Sequence, residues 1–312
     1  MPIHKGSQKI GDITYQNQSI AEGYYGDKLV FSKRSGGGMF FMRLHNTMHQ
    51  DVTINNPSSF LGNKTGNPRL ITAVVEDEFG NILQNVKGSG NTIVDFIIPD
   101  EQSCVFRITW EGGMFSLTGQ SLTYLGNLVT SAGCKIYGNY DVPSYFLYDT
   151  FMNTWKYEQL PGDVFDISEW YPTRINDGFL ERAWFYSTIV ETPILDTSHW
   201  VVESIGERFM DSTFSSCTSL VSVTLPDTSN WTATTPEGFF CRTVFRYALN
   251  NSGATITLKG ALYLGDIIPL SSNSMEMQNG FVANVKVDPI LIAAYQNSAS
   301  WSNIDDNKFI SW

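Results

Sequence analysis

Apolar and polar residues alternate through Cys104, Phe106, Ile108 and Trp110, with Val105, Arg107 and Thr109 between them. A period of two sends one set of side chains to a core and the other to the opposite face of a strand. The same alternation runs through Phe40, Met42 and Leu44, and through Val94, Phe96 and Ile98 up to the break at Pro99. Val74 and Val75, followed by Glu76-Asp77-Glu78-Phe79-Gly80-Asn81 and then Ile82, read as strand, turn, strand. Residues 39–130 are therefore expected to form an antiparallel β-sandwich.

Beyond residue 144 the period changes. Asp-Ile-Ser-Glu-Trp at Asp166 to Trp170 returns as Asp-Thr-Ser-His-Trp at Asp196 to Trp200 and as Asp-Thr-Ser-Asn-Trp at Asp227 to Trp231, at offsets of 30 and 31 residues. The match extends beyond these motifs. Ile175, Phe179, Leu180 and Trp184 recur 30 residues on as Ile205, Phe209, Met210 and Phe214; after one insertion Val190 aligns with Val221 and Ile194 with Leu225. A further copy opens at Phe239 and Phe240 and fades after Phe245. A fixed period of this length predicts a solenoid, because one copy leaves a face that only stacking buries. Within a copy, Val221, Val223 and Leu225 face inward, Ser222 and Thr224 face outward, and Pro226 ends the strand. Asp227 and Ser229 are expected to fix the next turn by side-chain hydrogen bonds, and Trp231 to seal the junction with the neighbouring copy. The repeat domain is expected over residues 144–312. Its repeats end after Gly265, leaving a cap at about 281–312 in which Asp288-Pro289 starts a short helix with Leu291, Ala294 and Tyr295 on one face. Trp301, Phe309, Ile310 and Trp312 supply apolar cover.

The first residues follow a shorter repeat of about ten. Lys5-Gly6-Ser7-Gln8-Lys9-Ile10, Gln16-Asn17-Gln18-Ser19-Ile20 and Tyr25-Gly26-Asp27-Lys28-Leu29 each set a Gly or Asn turn before an aliphatic residue. Small hairpins built this way bury little surface alone, so residues 1–34 are expected to gain order by pairing with another chain. Ser35, Gly36, Gly37 and Gly38 read as a flexible joint.

Composition narrows the function. With 20 Lys and Arg against 31 Asp and Glu, the net charge of -11 repels phosphate backbones, which argues against nucleic acid as partner. No run approaches the roughly 18 apolar residues of a membrane span, and the opening Met-Pro-Ile-His-Lys-Gly-Ser-Gln lacks the apolar core of a signal peptide. The expectation is synthesis and folding in a cytoplasm, or export by a route the chain does not encode, without membrane insertion. Cys104, Cys134, Cys217 and Cys241 form no Cys-x-x-Cys pair and are expected as buried free thiols.

Candidate chemistry is sparse. His45 and His49 stand at i and i+4, but without the glutamate of a zinc-protease helix and on a strand-like segment, where they are poorly placed to share an ion. Neither these nor His4 and His199 adjoin a nucleophile motif. His199 fills a slot taken by Glu169 and Asn230 in sister copies and reads as a variable turn position. Asp163, Asp166 and Glu169 could pair as glycosidase carboxylates, yet Asp166 recurs with the repeat, which is a structural signature. Trp170, Trp200 and Trp231 would stack sugars if exposed; their periodicity favours interior packing. No catalytic, cofactor-binding or metal-binding residue is assigned, and a non-enzymatic protein is expected.

Phe209, Phe214, Cys217-Thr-Ser-Leu220 and Val223-Thr-Leu225-Pro226 resemble the repeat of BspA-like leucine-rich proteins, and Val285 to Trp301 resembles the segment that closes such arrays. Met1 to Phe31 is similar to the openings of phage tail and fibre proteins. Together these resemblances imply a mainly β, leucine-rich-repeat-like virion protein, made in the host cytoplasm and placed on a tail, fibre or head appendage. They imply docking on other virion proteins through the N-terminal module, and attachment to a host-surface glycan or protein. A homo-oligomer, with a trimer as the candidate, is expected from appendage symmetry. A capsule-glycan depolymerase tailspike and a bacterial surface adhesin are the alternatives. Host contacts are expected on polar strand faces such as Ser222 and Thr224, or in loops of the β domain.

Overall fold

A computed structural model describes residues 36–119, 125–193, 195–233, 240–249, 253–264, 283–298, 301 and 304–311, and the strand backbones at 14–15, 18–19, 22–25 and 28–32. The chain divides into two units, Met1–Ser35 and Gly36–Trp312. In the first, β1 (Thr14–Tyr15) pairs with β2 (Gln18–Ser19) and β3 (Glu22–Tyr25) with β4 (Lys28–Ser32), both antiparallel. Tyr15 stands opposite Gln18 and Tyr25 opposite Lys28. The earlier piece at Lys5 to Ile10 lies outside the described residues.

The second unit opens with β5 (Gly37–His45), followed by β6 (Val52–Ile54), β7 (Lys64–Glu76), β8 (Ile82–Asn85), β9 (Phe96–Ile98), β10 (Ser103–Phe115), a short helix α1 (Leu125–Leu128), β11 (Val129–Gly138) and β12 (Phe165–Trp170). Six of these form one sheet in the order β12-β11-β5-β10-β7-β8, while β6 and β9 form a separate two-stranded ribbon. Neighbours run antiparallel except β11 and β12, which are parallel. The period-two residues Phe40, Met42, Leu44, Cys104, Phe106, Ile108 and Trp110 are all buried on one face. Val94 is not part of that pattern: it is exposed, and only Phe96 and Ile98 of its trio are buried.

The glycine run is no flexible joint. Gly37 and Gly38 pair with Glu111 and Trp110, and the Gly36 carbonyl accepts from the Gly112 amide. A Cβ on Gly38 would lie 2.7 Å from the Trp110 ring and 2.6 Å from the Lys135 carbonyl. The glycines are thus where two backbones and an indole approach closely, a use of glycine that composition does not separate from flexibility.

From β12 onward the molecule is a β-solenoid of about 4 turns with few helices. β13 (Arg174–Ile175) pairs in parallel with β14 (Ser204–Ile205), extended by a bridge from Val142 to Ile175. On another side β15 (Ser222–Thr224), β16 (Thr255–Thr257), β17 (Asn284–Val287) and β18 (Phe309–Ser311) form a parallel row, with Glu191 bridging to Ser222. The row therefore continues past residue 265, where the sequence repeats stop. Sheet and solenoid share one continuous apolar core.

The corner motifs are hydrogen-bonded turns. Asp166, Asp196 and Asp227 each accept from the amide of the serine two residues on, at 3.1, 3.1 and 2.9 Å. Thr197 and Thr228 add bonds to the backbone of the next turn, at Asp227 and Lys259. Asp166 departs from its sister copies by lying on a strand, where it pairs with Lys135 of β11. Trp170 and Trp200 are fully buried, and Trp231 is half-buried at the end of the ladder. Their rings follow one another at 5.1 and 6.3 Å.

At the cap, Asp288 accepts from the Ile290 amide at 3.0 Å and leads through a 3-10 turn into α2 (Ile292–Gln296). Tyr295, Trp301 and Phe309 close the core. Ala294 is exposed and Ile310 points outward; Ile292 and Leu291 pack inward instead, since the 3-10 turn shifts the buried stripe from that of a continuous helix. Trp312, Phe239 and Ile194 lie outside the described residues.

Candidate functional site

The residues singled out for chemistry do not converge. His45 bonds Ser103, whereas His49 lies 3.4 Å from Glu101. His49, Asp100 and Glu101 present ligand atoms within 4.8 Å of one another on an exposed tip. Asp163 is buried and gripped by Arg43 at 2.6 and 3.1 Å, with the Ser131 hydroxyl also donating to it. Asp166 and Glu169 face Lys135 instead. His199 is more than a variable turn residue, because its Nε2 lies 3.0 Å from the carbonyls of both Ile167 and Trp170 in the preceding turn. In the following turn Asn230 plays the same role, donating to the Ser198 carbonyl at 2.6 Å. All four cysteines are buried free thiols. Burial pushes Cys104 and Cys217 up to about 12 and raises Cys134 and Cys241 as well. Ser222 and Thr224 are half-exposed within the parallel row, beside Thr255 and Thr257.

A more distinctive surface comes from the segments at 145–153, 178–186, 208–216 and 241–249. Along each, buried doublets alternate with doublets that hold the more exposed side chains. In the second segment Phe179 and Leu180 are buried, Glu181 is buried and Arg182 half-exposed, Ala183 and Trp184 are buried, and Phe185 and Tyr186 turn outward. Phe146-Leu147 and Phe151 are an earlier copy of this register, 33 residues before Phe179-Leu180 and Trp184. The buried rings stack in two columns. Phe146, Phe179, Phe209 and Phe240 succeed one another at 6.0, 5.2 and 5.4 Å. Phe151, Trp184, Phe214 and Phe245 do so at 5.2, 5.6 and 6.1 Å.

The backbone achieves this by alternation. Leu147, Asp149, Asn153, Leu180, Arg182, Tyr186, Met210, Ser212, Ser216, Cys241, Thr243 and Tyr247 all have φ between 46° and 64°. Most of their amides reach the adjacent turn, as from Arg182 to Asp211, Tyr186 to Ser215 and Ser216 to Arg246. Intervening amides bond three residues back, as Ala183 does to Leu180. Left-handed geometry costs about 1–2 kcal/mol for a side-chain-bearing residue. Here it is offset by the bonds that most of these amides make to the adjacent turn. Gly178 supplies one such position without a side chain, and the Tyr145 ring lies over the space its Cβ would fill.

The alternate doublets carry a staircase of ions. Asp149 meets Arg182 at 3.2 Å, Glu181 meets Arg208 at 3.2 Å and Asp211 meets Arg242 at 2.8 Å, each across turns. The carboxylates are buried and the guanidiniums half-exposed. Burial raises the Asp149 and Glu181 carboxyls above their ordinary range, against the opposing pull of Arg182 and Arg208. Arg182 also lies over Phe185 and Tyr148, with its Cζ 5.0 and 5.9 Å from the rings. Tyr145, Tyr186 and Tyr247 are exposed on this face. It is an aromatic and cationic surface on a chain of net charge -11. Its signal in the sequence is the run of doublets in Phe179-Leu180-Glu181-Arg182-Ala183-Trp184-Phe185-Tyr186, which matches neither a period of two nor a helical period.

No protein-family model, no curated protein and no solved structure matches the chain.

Proposed function

We propose that the chain is a non-enzymatic virion structural protein of a bacteriophage, carried on a tail, fibre or head appendage and contributing to attachment at the host surface. In this reading Met1–Ser35 docks on other virion proteins, the sheet serves as a sandwich-like spacer and the BspA-like repeats are displayed. The oligomer is a homo-oligomer, with a trimer as the working number. The observation that carries the proposal is a unit of short hairpins, too small to bury much surface alone, in one chain with a solenoid whose rungs expose Tyr186 and Tyr247. Immunogold labelling of purified particles with antibody to this chain tests it. Gold on the particles is expected; particles that stay bare while the antibody recognises the free protein overturn it.

A further inference from the structure

Four arginines occupy the outward positions of the left-handed rungs: Arg182, Arg208, Arg242 and Arg246. The first three each have a buried carboxylate across the turn. Arg246 has no ion pair among the described residues, and its Nε is buried without an acceptor. Its guanidinium carbon lies 5.2 Å from the Tyr247 ring centroid, a cation-π contact that orients the pair. The neighbouring turn presents Ser216, whose amide bonds the Arg246 carbonyl at 2.6 Å, and the turn before that presents Tyr186, whose amide bonds the Ser215 carbonyl at 3.0 Å. Tyr186 and Tyr247 are 56% and 42% exposed, so both rings are accessible. Successive rungs are about 4.8 Å apart, which puts two tyrosine positions about 9–10 Å apart with a serine between them.

We propose that Tyr186, Ser216, Arg246 and Tyr247 form a binding site for a carboxylate-bearing saccharide. This rests on the attachment reading above and names its ligand class. The two rings offer platforms to the apolar faces of sugars one disaccharide step apart. The Ser216 hydroxyl meets ring hydroxyls, and Arg246 supplies the fork that a uronate carboxylate requires. An extended peptide is the poorer fit. It would add to a sheet through free backbone groups, and the Tyr186 and Ser216 amides are already bonded between turns. With a net charge of -11 the chain does not draw anions from a distance, so recognition depends on this local cation.

The test is calorimetric titration of the full chain with four probes: a galacturonate hexasaccharide, its methyl ester, maltohexaose and a phosphotyrosine peptide. The hexasaccharide is expected to bind, and the two neutral sugars to bind about tenfold more weakly or less. Arg246→Gln is expected to lose about tenfold in affinity, and Tyr186→Ala and Tyr247→Ala several-fold each, with melting curves checking that each variant is folded. If Arg246→Gln unfolds, Arg246→Lys replaces it; keeping charge without the fork, it is expected to weaken the acid and leave maltohexaose unchanged. No binding of the hexasaccharide, equal binding by folded variants, or preference for the peptide overturns the site. Gold-labelled particles together with absent sugar binding would remove this site alone, whereas sugar binding with bare particles would remove the virion reading alone.

Discussion

Asp211 Oδ2 lies 2.8 Å from Arg242 Nη2 on the next turn of the solenoid, with the aspartate side chain 3% and the arginine 38% exposed. The asymmetry decides what each substitution does. Removing the arginine strands a buried carboxylate, while removing the acid leaves a guanidinium that reaches water. We expect Arg242→Met to cost about 2–3 kcal/mol, below the usual range for a fully buried pair because solvent screens one partner. Asp211→Asn should cost about 1 kcal/mol. Urea midpoints of the two variants at equal slope check the order; equal midpoints would contradict it.

Trp200 is wedged between the indoles of Trp170 and Trp231 and is 1% exposed. Trp200→Ala should therefore cost about 3–5 kcal/mol, the range for emptying a buried aromatic site. Trp231 is half-buried, and Trp231→Ala should cost about 2 kcal/mol. Chemical denaturation that ranked Trp231 above Trp200 would show that the ladder does not terminate as described.

The raised acids predict an unusual pH dependence. Burial makes the folded chain hold protons on Asp149 and Glu181 above their ordinary values of 3.8 and 4.5. Between those values and the raised ones the folded state binds more protons than the unfolded one, so the contribution of these groups falls as pH rises. Lowering the pH through the raised values toward the ordinary ones should strengthen the fold at these two positions. Asp166 and Asp196 act in the opposite sense. The hydroxyls and amides of Ser168 and Ser198 hold them below 3.8, so their contribution is present above 3.8 and lost as pH falls through the lowered value. Melting temperatures across this range are expected to rise less in Glu181→Gln than in the parent, while Asp196→Asn leaves that rise intact and softens the loss in stronger acid.

How much of the molecule is legible in the chain depends on which physical signal carries each feature. The 30-residue period is legible because Phe179 and Phe209, or Trp200 and Trp231, must be apolar to stack. The Asp-Ser turns are legible because those side chains bond their own backbone. Left-handed φ at Leu180, Met210 and Tyr247 is not, because local preference assigns that region to Gly and Asn. Bonds to the next turn override that preference, and they arise only when the turns are stacked. The ion staircase is hidden for the same reason: Glu181 and Arg208 are 27 residues apart and meet only across a turn. Strand alternation points to the polar residues Ser222 and Thr224 and away from Arg246 and Tyr247, which neither the helix period nor the strand period brings together.

The cysteines should be inert in the native protein. A thiol reacts as its thiolate, and burial holds Cys104 and Cys217 up to about 12. The Cys217 thiol also donates to the Trp184 carbonyl at 2.9 Å. Titration with a chromogenic disulfide at neutral pH is expected to label none of the four until denaturant is added. Rapid labelling of the native chain would show that the solenoid opens locally.

Ser216 gives the sharpest test of the left-handed rungs. Its φ is 64° and its side chain is half-exposed, so substitutions there read backbone conformation more than packing. Glycine adopts this region freely, and the relief of about 1 kcal/mol is partly cancelled by the greater freedom of glycine in the unfolded chain. Ser216→Gly should thus be neutral to stabilising. Ser216→Val adds a β-branch where such residues are true outliers, and should cost about 1–2 kcal/mol although valine is the better strand former. The two interpretations of these segments diverge here. If they were ordinary strands, valine would stabilise and glycine destabilise; only alternating left-handed rungs reverse both signs, and thermal melts of the pair distinguish them.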